Sequence, residues 1–180
     1  TKLEVEKDLP EKIEMDQVCE LVGEQETVYK SILREVRAHV MGEVEKNGLA
    51  KSQLHILAGL TRLRQAACDP RLLGLPKAFG PEDSGKLQAL RELIEECVSG
   101  GHKVLVFSQF VSMLQLMKQA LDEDGVVYEY LDGNTKDRQA AVDNFQKDPK
   151  IPVFLISLKA GGTGLNLTAA DTVIHFDPWW

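Results

Sequence analysis

The sequence predicts an α/β domain on a mostly parallel sheet, preceded by a mainly helical extension. Two observations carry this. Residues 84–180 alternate helical stretches with short apolar runs, and runs such as Val104-Leu-Val-Phe107 and Val153-Phe-Leu-Ile156 lack polar alternation, as strands covered on both faces do. Residues 1–83 instead carry helical periodicity followed by a Gly- and Pro-rich stretch, which predicts a lead-in and linker before the domain at 84–180.

Taken in order, Leu9-Pro-Glu-Lys-Ile-Glu14 opens an extended stretch that runs through Val18 and Leu21. From Glu24 the apolar positions Val28, Ile32, Val36 and Val40 recur every four residues until Asn47-Gly48 stops the helix. Leu54, Ile56, Leu57, Leu60 and Leu63 support a second helix, broken by Asp69-Pro70 because the residue before proline avoids helical backbone. Leu73 to Asp83 reads as a loop. Ser84 is an N-cap candidate for a helix with Leu87, Leu90, Ile94 and Val98 on one face, ended by Gly100-Gly101. The strand Val104–Phe107, a helix with Leu114, Met117 and Leu121, and a strand Val126–Leu131 follow. A helix from Lys136 to Gln146 turns Val142 and Phe145 inward, and strands at Val153–Ile156 and Thr172–Phe176 complete the sheet. The last strand reads as buried. In such a sheet ligands sit beyond the carboxyl ends of the strands, where Ser108-Gln109, Asp132-Gly133, Ser157 to Gly164 and Asp177 all fall.

Composition narrows the function classes. No apolar stretch approaches the ~20 residues of a membrane span, and Thr1-Lys-Leu-Glu-Val-Glu-Lys7 is no secretory signal. The expected setting is cytoplasmic in a bacterium and nuclear in a eukaryote. Three dispersed cysteines, Cys19, Cys68 and Cys97, argue against a disulfide framework. Four scattered histidines and no CxxC or HxxxH pair give no metal-ligand spacing; His175, inside Val-Ile-His-Phe, reads as a packed strand residue. A net charge of −7 opposes nucleic-acid binding by bulk attraction. Local charge differs, since Ser157 to Thr168 carries Lys159 and no acid, and backbone N–H groups add positive field uncounted in any charge sum.

Two glycine motifs invite a phosphate reading. Gly80-Pro-Glu-Asp-Ser-Gly-Lys86 has G-x-x-x-x-G-K spacing, but Leu87 replaces the Mg²⁺-binding hydroxyl, Glu82 and Asp83 repel phosphate, and no strand precedes it. It reads as a linker feeding a helix. The run Ser157-Leu-Lys-Ala-Gly-Gly-Thr-Gly-Leu-Asn-Leu-Thr168 reads as a glycine-rich turn between two strands, in which Gly161, Gly162 and Gly164 let phosphate oxygens approach the backbone. A tight connection with no ligand is the alternative.

The motifs around it decide the family. Val104-Leu-Val-Phe-Ser-Gln-Phe110, Tyr130-Leu-Asp-Gly-Asn-Thr135, Ser157 to Thr168 and Phe176-Asp-Pro-Trp-Trp180 occur in this order. With them the chain resembles the second RecA-like lobe of the Swi/Snf family of ATP-dependent DNA translocases, in helicase superfamily two. Leu9-Pro-Glu-Lys-Ile-Glu14 resembles the family's lead-in between its lobes, Leu63-Arg-Gln-Ala-Ala-Cys-Asp-Pro-Arg-Leu-Leu73 the helix and turn before the second lobe, and Ser84-Gly-Lys-Leu87 that lobe's first helix. The resemblance implies a RecA-like three-layer sandwich. It further implies that Gln109, Gly133, Thr135, Ser157, Lys159, Gly161 and Trp180 lie along double-stranded DNA, and that Gly162, Gly164 and Asn166 line the ATP cleft. Trp179 and Trp180 have a core-plug reading as well, and Arg138 either serves the site or holds its helix to the loop.

The family's first lobe, with its P-loop lysine and Mg²⁺-binding acids, is not in this sequence, which stops at Trp180 before the sixth motif and its arginines. ATP and Mg²⁺ are therefore expected only in a complete motor, with the first lobe of the same polypeptide and other DNA-bound proteins as partners. Arginines of that kind contribute ~10³ or more to phosphoryl transfer, so the segment alone is expected to be silent and to hold no cofactor tightly. Two rivals remain: a degenerate lobe used for protein docking, and a nucleotide- or methyl-donor-binding enzyme. The latter needs its glycine turn after the first strand and opening a helix, with an acid ~20 residues on, and the order here is otherwise.

Overall fold

A computed structural model of the protein describes residues 12–161 and 164–177. The stretch 12–22 has no regular secondary structure, and the lead-in then forms helices α1 (Gly23–Asn47) and α2 (Gln53–Cys68). They pack together closely, since a Cβ on Gly59 would stand 2.5 Å from Val36 Cγ1. Helix α2 ends where the sequence predicts, at Asp69-Pro70. The buried Asp69 carboxylate accepts from Arg71 N at 2.9 Å and from its guanidinium at 2.9 and 2.7 Å, bending the chain into a 3₁₀ turn, Pro70–Leu73. A second 3₁₀ turn, Pro81–Asp83, interrupts the predicted loop.

Helix α3 (Gly85–Ser99) begins at the expected cap. Ser84 Oγ accepts from Leu87 N at 3.2 Å and donates to Cys68 O at 2.8 Å, so one hydroxyl starts α3 and fastens the end of α2 to it. Beyond α3 come β1 (Val104–Ser108), α4 (Val111–Glu123), β2 (Tyr128–Leu131), α5 (Arg138–Lys147), β3 (Val153–Ser157), a single-turn helix α6 (Leu158–Gly161) and β4 (Thr172–His175). All strand pairs are parallel, in the order β2-β3-β1-β4, with Val104 opposite Val153 and Thr172, and Tyr128 opposite Val153.

Alternation along the strands divides the interior in two. Val104, Val106, Val153 and Leu155 face Leu87, Leu90 and Ile94 of α3 and Met113, Leu114, Met117 and Leu121 of α4. Leu105, Phe154 and Ile156 face Ala141, Val142 and Phe145 of α5 and Ala160 of α6. This is the predicted three-layer α/β/α arrangement. Helix α5 is capped at its start, where Asp137 Oδ1 accepts from Ala140 N at 2.8 Å, and tied at its end to Lys103, whose Nζ donates to Phe145 O and, at 2.8 Å, to Asp148 O.

Strand β4 departs from expectation. It lies at the sheet edge, so only the side bearing Ile174 and Phe176 joins the core, while Val173 is half exposed and His175 is exposed, its ring stacked on Phe107 at 5.5 Å between centroids.

Candidate nucleic-acid and nucleotide interface

Because all four strands run the same way, their carboxyl ends form one rim. On it sit Gln109 after β1, Gly133 and Thr135 after β2, the loop from Ser157 after β3, and Asp177 after β4. Gly162 and Trp180, with Trp179 and Leu9-Pro10, fall outside the described residues.

The turn after β2 is organised by the buried Asp132. Its Oδ1 accepts from Asn134 N at 2.8 Å and Thr135 Oγ1 at 3.3 Å, its Oδ2 from the Tyr130 hydroxyl at 2.8 Å, and its N–H donates to Thr135 Oγ1 at 2.9 Å. The Thr135 hydroxyl is thus engaged inside the turn. Gly133, exposed with nothing beside its missing Cβ, is the turn's open point. Burial pushes the Asp132 carboxyl up, but the hydrogen bonds from Tyr130, Asn134 and Thr135 outweigh it and hold the group below its ordinary range, whereas burial and then Asp132 push Tyr130 up to about 12. A lowered carboxyl pKa stabilises the fold above the ordinary value of 3.8, and this contribution is lost as pH falls through the folded value. Asp132→Asn should therefore cost about 1 kcal/mol at neutral pH. The gap from wild type should narrow on acidification toward pH ~3, as urea midpoints at both pH values will test.

The glycine segment after β3 is not a simple strand-to-strand turn. Ser157, buried, accepts from Ala160 N at 3.3 Å and starts α6, on which Lys159 is exposed. Ser157 offers its side chain to this turn. Gly161 closes it, and its lack of a side chain has a packing reason: a Cβ would stand 2.8 Å from Phe107 Cε1 and 3.1 Å from Ile156 Cγ2. Arg138 of α5 donates to Ala160 O, which realises the holding role among its two readings. Gly164, exposed with φ of +64° and nothing near its missing Cβ among the described residues, leaves its backbone approachable, and Asn166 two residues on is exposed.

At the ends of β1 and β4, Asp177 is 3% exposed and accepts from Gln109 N at 3.3 and 3.1 Å through its two oxygens. Gln109 is half-buried, and its Nε2 lies buried without a hydrogen-bond partner among the described residues, turned away from solvent. Lys86, the lysine of the false P-loop, donates to Phe176 O at 3.2 Å and lies over the Phe176 ring. It buttresses the end of β4. Sequence reasoning missed Gln25, buried on the first turn of α1: its Nε2 donates to Ala66 O and Ala67 O at 3.0 and 3.2 Å, and its Oε1 accepts from Gly85 N at 3.3 Å and Val22 N at 3.4 Å. Its one sequence signal is the third helical position, where a glutamine reaches back to the preceding N–H.

A doubly covered parallel sheet with a lysine-bearing glycine loop on its carboxyl rim defines a RecA-like lobe of the helicase type. Residues 85–180 match the helicase conserved C-terminal domain. In structure the chain is similar to the Sulfolobus solfataricus SWI2/SNF2 ATPase C-terminal domain (TM-score 0.75, 32% identity, 90% of this chain and 70% of that one). It is likewise similar to the ATPase core from that organism in complex with dsDNA (TM-score 0.80, 32% identity, 96% and 36%). The chain belongs to the helicase C-terminal domain family, in its Swi/Snf branch. In sequence it is 49% identical over 100 residues to Helicase SWR1 of Candida albicans, covering 54% of this chain and 6% of that protein. It is 36% identical over 184 residues to an uncharacterized ATP-dependent helicase of Mycoplasma pneumoniae, covering 100% of this chain and 17% of the other. The chain thus spans a small part of these curated relatives. Among the described residues no helix is long and apolar enough to cross a membrane.

Proposed function

We propose that this chain is the C-terminal half of an ATP-dependent double-stranded-DNA translocase, with residues 1–83 leading from the first motor lobe and 84–180 forming the second. The observation that carries the reading is the single rim on which four strand-end segments converge, with Lys159 exposed and Gly164 open beside it. In this reading Gln109, Gly133, Thr135, Ser157, Lys159, Gly161 and Trp180 follow a DNA backbone, and Gly162, Gly164 and Asn166 face the ATP cleft. The two sets share one loop, so closing the cleft alters the grip on DNA. ATP, with Mg²⁺, supplies the energy of that closure in the complete motor; this segment hydrolyses none alone. Other DNA-bound proteins are its further partners, in the cytoplasm of a bacterium or the nucleus of a eukaryote.

The test joins the chain to a first lobe and to the arginine-bearing segment that follows it in the family, and measures ATP turnover with and without duplex DNA. Stimulation by DNA is expected. Turnover that is absent or indifferent to DNA favours the docking module instead. In the same assembly Lys159→Glu should weaken DNA binding and reduce the slope of log affinity against log salt by about 1, because one counterion-releasing contact disappears. An unchanged slope removes Lys159 from the contacts.

A further inference from the structure

The rim has a polar joint to the helical lead-in. Asp177, at the end of β4, fastens the backbone of Gln109 at the end of β1 with both carboxylate oxygens, at 3.3 and 3.1 Å. Within that turn Ser108 Oγ accepts from Phe110 N at 3.1 Å, so the segment 108–110 is held twice. Arg64, one turn before the end of α2, reaches this place from the lead-in: its guanidinium carbon stands 6.0 Å from the Phe110 ring centroid, and its charge favours ionised Asp177. Lys86 holds the other side of β4 through Phe176 O. A buried carboxylate costs free energy unless several donors share it, so a group retained here must hold something that an apolar residue could not.

We propose that Asp177 is a positioning residue for the Ser108–Phe110 turn, and that Arg64, over the Phe110 ring, links the lead-in hairpin to that turn. The linkage rests on the reading of Gln109 as a DNA-backbone neighbour; the fastening of the turn does not. Burial raises the Asp177 pKa, while the Ser108 hydroxyl, the Gln109 N–H and Arg64 act to lower it, so the ionised form depends on the arrangement of all of them. Cys68, Lys86 and Asp69 lie in the same neighbourhood, and burial with Asp177 close by pushes the Cys68 thiol up to about 12. Tilting α2 moves Arg64 relative to Asp177 and changes how firmly Gln109 is presented on the rim.

The experiment uses the complete polypeptide that carries this chain, with Asp177→Asn, Arg64→Gln and Arg64→Lys. Amide hydrogen exchange is followed on peptides spanning 107–112, and ATP turnover is titrated with duplex DNA. In Asp177→Asn and Arg64→Gln, exchange at 107–112 should quicken by about tenfold and the DNA concentration for half-maximal turnover should rise about fivefold, more than the maximal rate falls; Arg64→Lys should recover most of both. Unchanged exchange in a folded variant overturns the proposal, as does a lowered melting temperature with no change in the DNA requirement. Should Asp177→Asn fail to fold, the Arg64 pair decides. If wild type shows no DNA stimulation, the translocase reading fails on its own, and exchange alone judges the joint: faster supports it, unchanged overturns it.

Discussion

Replacing Gln25 by leucine will destabilise the protein by about 3 kcal/mol, although the side chain keeps its bulk. Gln25 is 1% exposed and meets three pieces of the chain: the entry to α1 at Val22, the last turn of α2 at Ala66 and Ala67, and the first residue of α3 at Gly85. Leucine leaves two carbonyls and two N–H groups in place without this partner, and a desolvated polar group left unpaired costs about 1–3 kcal/mol. The loss should lower the melting temperature by roughly 6–12 °C for a chain of this size. Gln139→Leu is the control, because Gln139 bonds Asp143 on an exposed face of α5, and its effect should stay within about 0.5 kcal/mol. A Gln25→Leu transition within 2 °C of wild type, roughly the control's span, would show that the three segments meet without the amide's help.

Gly161→Ala is the second large effect, at about 1–3 kcal/mol from overpacking. The new methyl would be placed 2.8 Å from the Phe107 ring and 3.1 Å from Ile156, so ring or turn must move. Shortening the obstacle should repair it. Phe107→Leu combined with Gly161→Ala should be more stable than the sum of the single changes predicts, a coupling readable from a double-mutant cycle in urea. Gly164→Ala is a contrast: nothing among the described residues opposes its methyl, and its cost of about 1 kcal/mol should come from the left-handed backbone, with no coupling to Phe107. Additive behaviour of Gly161→Ala with Phe107→Leu would mean that the turn tolerates the methyl by shifting outward.

Most of the architecture was legible because each of its signals is local. Ser84 before an amphipathic run, Pro70 after Asp69, and the unbroken apolar runs at 104–107 and 153–156 act within a few residues, and all hold in the structure. What escaped depends on residues distant in sequence. Gln25 looks like a solvated helix-start residue until residues 41, 42 and 60 positions away close over it. The packing reason for Gly161 needs Phe107 on the neighbouring strand. Helix α6 was hidden by its own glycine, which reads as a turn although Ser157 supplies a serviceable cap. Strand β4 reads as buried from composition, but exposure of its second face depends on its place at the edge, which composition cannot express.

Helix α5 is tied by Arg138 to Ala160 O at its start and by Lys103 at its finish. Near that finish Gln146 donates to Thr168 Oγ1 at 3.1 Å and accepts from Ala169 N at 2.7 Å, so the turn that closes at Gly161 and the connection that leads into β4 are both moored to one helix.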